Sequence, residues 1–206
     1  MSAVFELTEP DERALSVAAE AVARSEAIVL PTDTVYGVAC RPDAAAATDR
    51  LFRAKGRPRD LSLPVLAADL DNARQVGSLP STAERLTERF WPGALTLVVP
   101  RAAASASWDL GSARATVALR VPAHPVALAL LRRTGPLAAT SANRSGRPTP
   151  EDCRGVRREL GDSVAVYLCG GRLSPVPSTI VDLSGGEPRV VRAGALDSDE
   201  VLRTLR

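Results

Sequence analysis

Hydrophobic and polar positions alternate between helical and strand-like spacing along almost the whole chain. Apolar residues recur at helical spacing from Asp11 to Ser25, and a short apolar run at 27–31 follows, which indicates a helix and then a strand. The same alternation predicts further helices at 43–56, 81–91, 124–136, 150–162 and 197–206, and further strands at 63–67, 94–100, 116–122, 137–142, 164–170, 179–183 and 188–192. Regular alternation of this kind predicts an α/β fold, a sheet flanked by helices.

Polar residues at the predicted helix starts indicate caps. Thr8 with Asp11 is a candidate cap for the first helix, and Asp43 is expected to begin the second. Ser81 and Glu84 have the spacing of a capping box. No internal repeat or flexible linker interrupts the pattern, so we expect one α/β domain over residues 1–206.

Composition favours an enzyme or a binding domain of the cytosol. The chain has 206 residues, 45% of them hydrophobic, and its first residues lack the apolar block of a signal peptide. No run approaches the roughly 18 apolar residues of a membrane span. Cys40, Cys153 and Cys169 are odd in number and lack a CxxC pair. We therefore expect three reduced thiols and a cytoplasmic location, with no membrane partner.

Charge and rare residues narrow the chemistry. The net charge is +2, too small to indicate a protein that coats nucleic acid. His124 is the single histidine, flanked by prolines, so a Cys/His zinc site is not expected and we assign His124 no chemistry. Lys55 is the single lysine among 26 basic residues. A compact ammonium binds phosphate differently from a guanidinium, which draws attention to the segment that begins at Lys55.

Four polar segments follow predicted elements, where sites in α/β sheets tend to lie: PTDTVYG (31–37), KGRPRD (55–60), TSANRSG (140–146) and PSTIVD (177–182). The first carries Thr32, Asp33 and Thr34 directly after an apolar run. An ordinary Asx or Thr turn explains this segment equally well.

KGRPRD and TSANRSG contain groups suited to phosphate. Lys55 and Arg57 could neutralise a polyphosphate, although cations that only complement the end of a helix are the alternative. Ser141, Asn143 and Ser145 offer hydroxyl and amide donors, although such residues also form common turns. Neither a GxxxxGK[ST] nor a GxGxxG motif occurs. Any nucleotide site is therefore not a P-loop.

Taken together, the segments resemble the YrdC-like threonylcarbamoyl-AMP synthase family, in the same order and from about Ala27 to Leu196. The matching blocks are PTDTVYGVAC, RLFRAKGRPRD, LPVL, FWPGALTLVV, TVALRVPAHPVALALL, PLAATSANRSGRPTP, PSTIVDL and VVRAGAL. The resemblance implies a single twisted, mixed sheet around a concave basic cavity. Some members carry a second C-terminal domain, which we do not expect here.

The resemblance also implies residue roles. The family's Lys-x-Arg and Ser-x-Asn motifs fall on four residues expected to be catalytic, namely Lys55, Arg57, Ser141 and Asn143. ATP is expected to contact Lys55, Arg57, Thr116, Ala139, Ser141, Asn143, Thr149 and Arg192. Threonine is expected to contact Thr34, Arg120 and Ser178.

The implied reaction joins L-threonine, bicarbonate or CO2, and ATP into threonylcarbamoyl-AMP and pyrophosphate, for N6-threonylcarbamoyladenosine in tRNA. Mg2+ would accompany ATP, held by phosphates and water rather than by a dedicated protein site. Asp33 is a candidate for a contact to Mg2+ through water. A threonylcarbamoyl transferase would consume the product, and weak direct contact with tRNA is left open.

Four positions depart from the resemblance. Leu61 and Ser62 follow KGRPRD where many relatives have a polar residue and proline, so a side-chain contact to ATP at position 61 is not expected. Leu66 stands where some relatives have a histidine, and Ala94 replaces a common proline. These departures bear on substrate affinity rather than on reaction class.

Two other functions are considered. Arginines in the second half of the chain could contact RNA without any synthase activity, but aromatic residues make up only 3% of the chain, too few to indicate base stacking. A carbamoyl-adenylate-handling domain of a larger carbamoyltransferase is the other candidate, although this chain lacks the companion domains.

Overall fold

Ten strands form one mixed sheet in the computed structural model, which describes residues 1–205. The strands are β1 (Ala3–Glu6), β2 (Ile28–Leu30), β3 (Gly37–Cys40), β4 (Val65–Leu66), β5 (Leu95–Pro100), β6 (Thr116–Arg120), β7 (Leu137–Ser141), β8 (Val166–Cys169), β9 (Thr179–Asp182) and β10 (Arg189–Arg192). Their order across the sheet is β1-β8-β2-β3-β7-β4-β6-β5-β9-β10. Parallel and antiparallel pairs both occur, for example β5 with β9 and β5 with β6, which confirms the mixed α/β sheet.

Seven α-helices flank the sheet within residues 1–205. They are α1 (Glu12–Ala23), α2 (Ala45–Lys55), α3 (Leu70–Val76), α4 (Ser81–Phe90), α5 (Pro125–Thr134), α6 (Cys153–Leu160) and α7 (Ser198–Arg203). The helices α1 and α5 share one hydrophobic cluster, while α2, α3, α4, α6 and α7 contribute to the other. None of the helices described is long and apolar enough to cross a bilayer.

One end of the sheet has a face that no helix buries fully. Along β6 the burial alternates, with Val117 and Leu119 buried and Thr116 and Ala118 half-buried. In β9 the same period gives half-buried Ile180. Side chains at alternate positions of a strand share a face, so these half-buried residues form a partly open floor on β6, β5 and β9.

The predicted helix caps are confirmed in one case and wrong in two. Asp11 caps α1, since its Oδ1 accepts the Ala14 N–H at 2.8 Å. Asp43 does not cap α2, because both of its carboxylate oxygens accept from Arg41 at 2.7 Å. Ser81 forms no side-chain cap: it is already the first residue of α4, which begins after Pro80. Helix α2 thus begins two residues after its expected cap, whereas α4 begins at the expected capping residue itself.

The prediction of three reduced thiols is wrong for two of them. Cys153 and Cys169 form a disulfide, with Cα atoms 5.4 Å apart. The first residue of α6 packs beside the last residue of β8, a proximity created by the fold and absent from the spacing of the cysteines. Cys40 is free and buried in β3, and burial raises its pKa to about 12.

Candidate functional site

The end of α2 is clamped to the turn that follows β7. Lys55 is 2% exposed, and its ammonium donates to the backbone carbonyl of Asn143 at 2.6 Å and to that of Ser141. The carbonyl of Lys55 in turn accepts the N–H of Ser145 at 2.8 Å. The alternative of a solvated helix-end cation is therefore wrong for Lys55, whose charged group holds the shape of the 141–149 turn.

Burial changes the acidity of Lys55. Its pKa is lowered to about 7, chiefly by loss of solvation and then by the nearby charge of Arg57, while Glu159 acts in the opposite direction. The ammonium form has three donors, and two of them are used by the backbone carbonyls. One donor is left for a ligand that brings negative charge.

Asn143 holds the same turn from within. Its side-chain Nδ2 donates to the carbonyls of Arg144 at 2.9 Å and Arg147 at 2.7 Å, and its Oδ1 accepts the hydroxyl of Thr149 at 3.3 Å. The structure thus brings together four of the residues predicted for ATP, namely Lys55, Ser141, Asn143 and Thr149. TSANRSG therefore forms a turn, as one prediction had it. The turn does not exclude the predicted phosphate site, because the residues predicted to bind phosphate lie in the turn itself.

Arg57 is near Lys55, whose pKa its charge lowers, and it binds the backbone at positions 61 and 62. Its Nε donates to the carbonyl of Leu61 at 2.8 Å and its Nη2 to that of Ser62 at 3.1 Å. The backbone carbonyl of Leu61 therefore already accepts a hydrogen bond from Arg57. The Leu61 side chain is 48% exposed, whereas Leu66 is buried in the core beneath α1 and α5.

Arg120 and the PTDTVYG segment form a second cluster. The Arg120 guanidinium donates to the Gly93 carbonyl at 2.9 Å, to Thr34 Oγ1 at 2.7 Å and to Asp33 Oδ1 at 2.7 Å. Thr34 is 1% exposed and Arg120 6%. Thr32 forms the expected local turn, since its Oγ1 donates to the Val35 carbonyl at 2.6 Å. Thr34 and Arg120, both predicted to bind the substrate threonine, are therefore in direct contact.

Ser178, the third residue predicted to bind the substrate threonine, contacts Arg192, which is predicted to bind ATP. Ser178 Oγ lies 2.8 Å from Thr96 Oγ1 and 3.2 Å from Arg192 Nη2. Arg192 also donates from Nε and Nη2 to the Ser178 carbonyl, at 3.1 and 2.7 Å. Sequence reasoning did not single out Thr96; the alternation of β5, which directs it toward the same face as Val98, was the available signal.

Arg192 is close enough to Arg57 and Arg120, one from each cluster, for their charges to act on it. Partial burial lowers the pKa of Arg192, and the positive charges of Arg120 and Arg57 lower it further. Mutual repulsion of this kind is relieved by an anion, so the arrangement is suited to a carboxylate or phosphate. The concave basic cavity itself stays a prediction.

Thr116 and Ala139, both predicted to contact ATP, take no part in these contacts. Thr116 lies at the start of β6, four residues before Arg120, and its carbonyl accepts Arg101 Nε at 3.0 Å. Ala139 is 4% exposed within β7, and its N–H donates to the Pro64 carbonyl at 2.9 Å. Within residues 1–205 neither makes a hydrogen bond to another predicted site residue.

His124 and one cavity carry none of the predicted site roles. His124 Nδ1 is buried without a hydrogen-bond partner among the described residues, and burial lowers the His124 pKa. A cavity of about 790 Å³ lies at the other end of the sheet, near Ala27, Arg50 and Val164. None of the predicted site residues lines this cavity. That His124 takes no part in the chemistry stays a prediction.

Comparisons with known proteins identify what the chain is similar to. The Sua5/YciO/YrdC family model, described as "Telomere recombination", matches residues 20–194. A Mycobacterium tuberculosis protein is 44% identical over 209 residues, covering 100% of this chain and 96% of that protein. The threonylcarbamoyl-AMP synthase of Bacillus subtilis is 36% identical over 190 residues, covering 91% of this chain and 55% of that protein.

A solved structure shows the same fold. Pyrococcus abyssi Sua5, complexed with L-threonine, superposes with a TM-score of 0.88 at 31% identity. The similarity covers 99% of this chain and 60% of that one. The chain thus spans about three fifths of this structural relative.

Proposed function

Because the chain belongs to the Sua5/YciO/YrdC family, we propose that it is an L-threonylcarbamoyladenylate synthase. It would form threonylcarbamoyl-AMP and pyrophosphate from L-threonine, bicarbonate or CO2, and ATP, to supply N6-threonylcarbamoyladenosine in tRNA. The observation that carries the proposal is the similarity of this chain to the Mycobacterium tuberculosis protein over its whole length and to the Bacillus subtilis threonylcarbamoyl-AMP synthase over 91% of its length. The fold it shares with a Sua5 structure that contains L-threonine supports the choice of substrate.

ATP phosphates would lie against the 141–149 turn. Lys55 has a donor left after its two carbonyl contacts, and Arg57 adds a second cation beside it. Ser141, Asn143 and Thr149 would then contribute hydroxyl and amide groups. Charge built up on a departing pyrophosphate would be stabilised by donors already in place, which is the main way proteins accelerate phosphoryl-type transfer.

Threonine would lie against the Thr34–Arg120 contact. Three of the five N–H donors of Arg120 are taken, which leaves two for the substrate carboxylate. Ser178 would contribute its hydroxyl, and Arg192, in contact with Ser178, would place the nucleotide next to threonine. Contact between these two residues supports a shared site for both substrates.

The reaction would proceed in two steps. The neutral amine of threonine captures bicarbonate to give an N-carboxylate and water, or CO2 to give the N-carboxylate and a proton. That carboxylate then attacks the α-phosphorus of ATP, the bond from the α-phosphorus to the bridging oxygen breaks, and pyrophosphate leaves. Neither step requires a covalent enzyme intermediate, so side chains that position and neutralise charge are sufficient. The enzyme class would be nucleotidyltransferase.

Mg2+ would enter with ATP, bound mainly by phosphate oxygens and water. We propose one YrdC-like domain, a cytoplasmic location where ATP and tRNA occur together, and a separate transferase that moves the threonylcarbamoyl group to tRNA. Synthase names among the relatives do not favour the RNA-binding alternative.

A pyrophosphate-release assay tests the function. Purified protein would be incubated with ATP, Mg2+, bicarbonate and L-threonine, and then with each component omitted in turn. A synthase releases pyrophosphate only when every component is present, and mass spectrometry would identify threonylcarbamoyl-AMP. Release that does not depend on threonine, or no release at all, would overturn the proposal.

A further inference from the structure

Among residues 1–205, Asp33 forms hydrogen bonds through one of its two carboxylate oxygens. Its Oδ1 accepts from Arg120 Nη2 at 2.7 Å and from the backbone N–H of Ala123 at 2.8 Å. Its Oδ2 makes no hydrogen bond to the described residues 1–205 and is not among their buried unpaired atoms. The two contacts on Oδ1 therefore fix the carboxyl group while Oδ2 stays open to solvent.

The residues around Asp33 explain why this open oxygen matters. Asp33 pairs with Arg120, which also binds the Thr34 hydroxyl, and its charge acts on His124. Arg120 and Arg57 in turn lower the pKa of Arg192, which contacts the Ser178 hydroxyl. An α-amino acid carries a carboxylate and an amine on one carbon. The arginines suit the carboxylate and repel an ammonium, so the amine needs an acidic partner, and the one ion-pair partner of Arg120 within residues 1–205 is Asp33.

We propose that Asp33 Oδ2 receives the α-amino group of the substrate while Arg120 holds its carboxylate, an inference that rests on the proposed synthase function. The adjacent acid and guanidinium present opposite charges side by side, as the two ends of the amino acid do. When the ammonium releases its proton to water, the neutral amine still donates an N–H to Oδ2. Its lone pair then stays free to attack bicarbonate or CO2.

The test compares two ligands that differ in the amine. L-threonine and (R)-3-hydroxybutanoate share the carboxylate and the β-hydroxyl, and only threonine has the amine. Each would be titrated into wild-type protein and Asp33→Asn by calorimetry, without ATP or Mg2+. Wild type should prefer threonine by about tenfold or more, and Asp33→Asn should reduce that preference to about threefold or less. A purely structural role through Arg120 would weaken both ligands equally and leave their ratio unchanged.

Asp43→Asn is the matched control. Asp43 also pairs with an arginine, Arg41, through two contacts of 2.7 Å, but on the exposed surface. This variant should keep the wild-type preference for threonine. A similar loss of preference in both variants would overturn the assignment of the amine to Asp33.

The outcomes separate this inference from the proposed function. Wild-type protein that binds no threonine overturns both. Wild-type protein that prefers threonine, with the preference intact in folded Asp33→Asn, overturns the role of Asp33 and leaves the function standing. If circular dichroism shows Asp33→Asn unfolded, Asp33→Glu retains the negative charge and displaces the carboxylate by one methylene. An unchanged ligand ratio in that variant would also overturn the inference.

Discussion

The two parts of the candidate site are built differently. In the 141–149 turn, Lys55 and Asn143 direct their polar atoms mainly at backbone carbonyls. Around Asp33 and Arg120, side chains also bind one another: the Arg120 guanidinium contacts Thr34 and Asp33, and the remaining two contacts are to backbone groups of Gly93 and Ala123. A substitution in the first part should therefore deform a backbone surface, whereas one in the second part should remove a recognition group. The first should impair turnover broadly, and the second should impair threonine use selectively.

Replacing Lys55 should have the largest effect. Lys55→Ala removes the cation and both carbonyl contacts, so we expect pyrophosphate release to fall about 10²-fold to 10³-fold at saturating substrates. Arg53→Ala is the control, because Arg53 lies on the same helix with its side chain 71% exposed. Near wild-type release by folded Lys55→Ala would show that the turn does not need its clamp.

Arg120→Lys tests the selectivity of the second part. One ammonium cannot replace the three contacts of the guanidinium or bind a carboxylate in parallel, so the KM for threonine should rise about tenfold or more. The KM for ATP should change by about threefold or less, because the interactions lost are chiefly those with the substrate threonine.

Steady-state titration of each substrate at saturating levels of the other measures both constants. Arg41→Lys, at an exposed Arg–Asp pair, is the control and should change neither. Equal shifts for ATP and threonine in Arg120→Lys, or none, would remove Arg120 from the threonine site.

A double-mutant cycle tests whether the 141–149 turn acts as a unit. Lys55 bridges the carbonyls of Ser141 and Asn143, so damage by one substitution should already include part of the damage by the other. Ser141→Ala and Asn143→Ala should therefore be non-additive in ln(kcat/KM), with a coupling of about 0.5 to 3 kcal/mol. Fully additive penalties would indicate two separate sites.

The long elements could be predicted from the sequence because their signals are local. Gly56 ends α2 in the left-handed region at φ 58°, the termination expected from its position after Lys55. Strands β1 and β3 and helix α3, of four to seven residues each, were not predicted, whereas the equally short β2 and β4 were. In such short segments the periodicity is too brief to separate strand, helix and loop.

The contacts within the site could not be predicted, because they join residues far apart in the chain. Asp33 and Arg120 are 87 positions apart, and Lys55 and Asn143 are 88 apart. The resemblance indicated which residues gather, but not that Lys55 would bind carbonyls or that Asp33 would pair with Arg120. The disulfide was missed for the same reason, since packing of α6 against β8 brings its cysteines together.

The depressed pKa of Lys55 predicts proton uptake when ATP binds. Burial lowers this pKa from 10.5 to about 7, so in the free protein the amine is mostly neutral at pH 8 and mostly charged at pH 6. Phosphate favours the ammonium, so binding should draw in a proton at pH 8 and much less at pH 6. Calorimetry of ATP binding in two buffers of different ionisation enthalpy measures the uptake. Lys55→Met should lose it, and equal uptake in that variant would assign the proton elsewhere.

The smallest effect on activity is expected from the disulfide, which joins the start of α6 to the end of β8. Cys153 begins α6 just after the 141–149 turn, and Cys169 precedes Gly170 and Gly171, which Tyr36 holds by hydrogen bonds of 2.9 and 2.6 Å. Closing a loop with a sequence separation of 16 stabilises the oxidised protein by about 3 kcal/mol in the chain-entropy model. Cys153→Ser should therefore lower the unfolding temperature as much as a reductant lowers that of wild type.

Catalysis should change little, because neither sulfur contacts a predicted site residue among residues 1–205. Independent regions influence each other by only ~0.5 kcal/mol or less, so the KM values for ATP and threonine should stay within about twofold of wild type. Cys40→Ala is the control for cysteine chemistry, since Cys40 is unbonded and buried and its variant should respond to reductant as wild type does. If Cys153→Ser instead shifts one KM well beyond the other, the contact between α6 and β8 transmits strain to one part of the site, and the two parts are not independent.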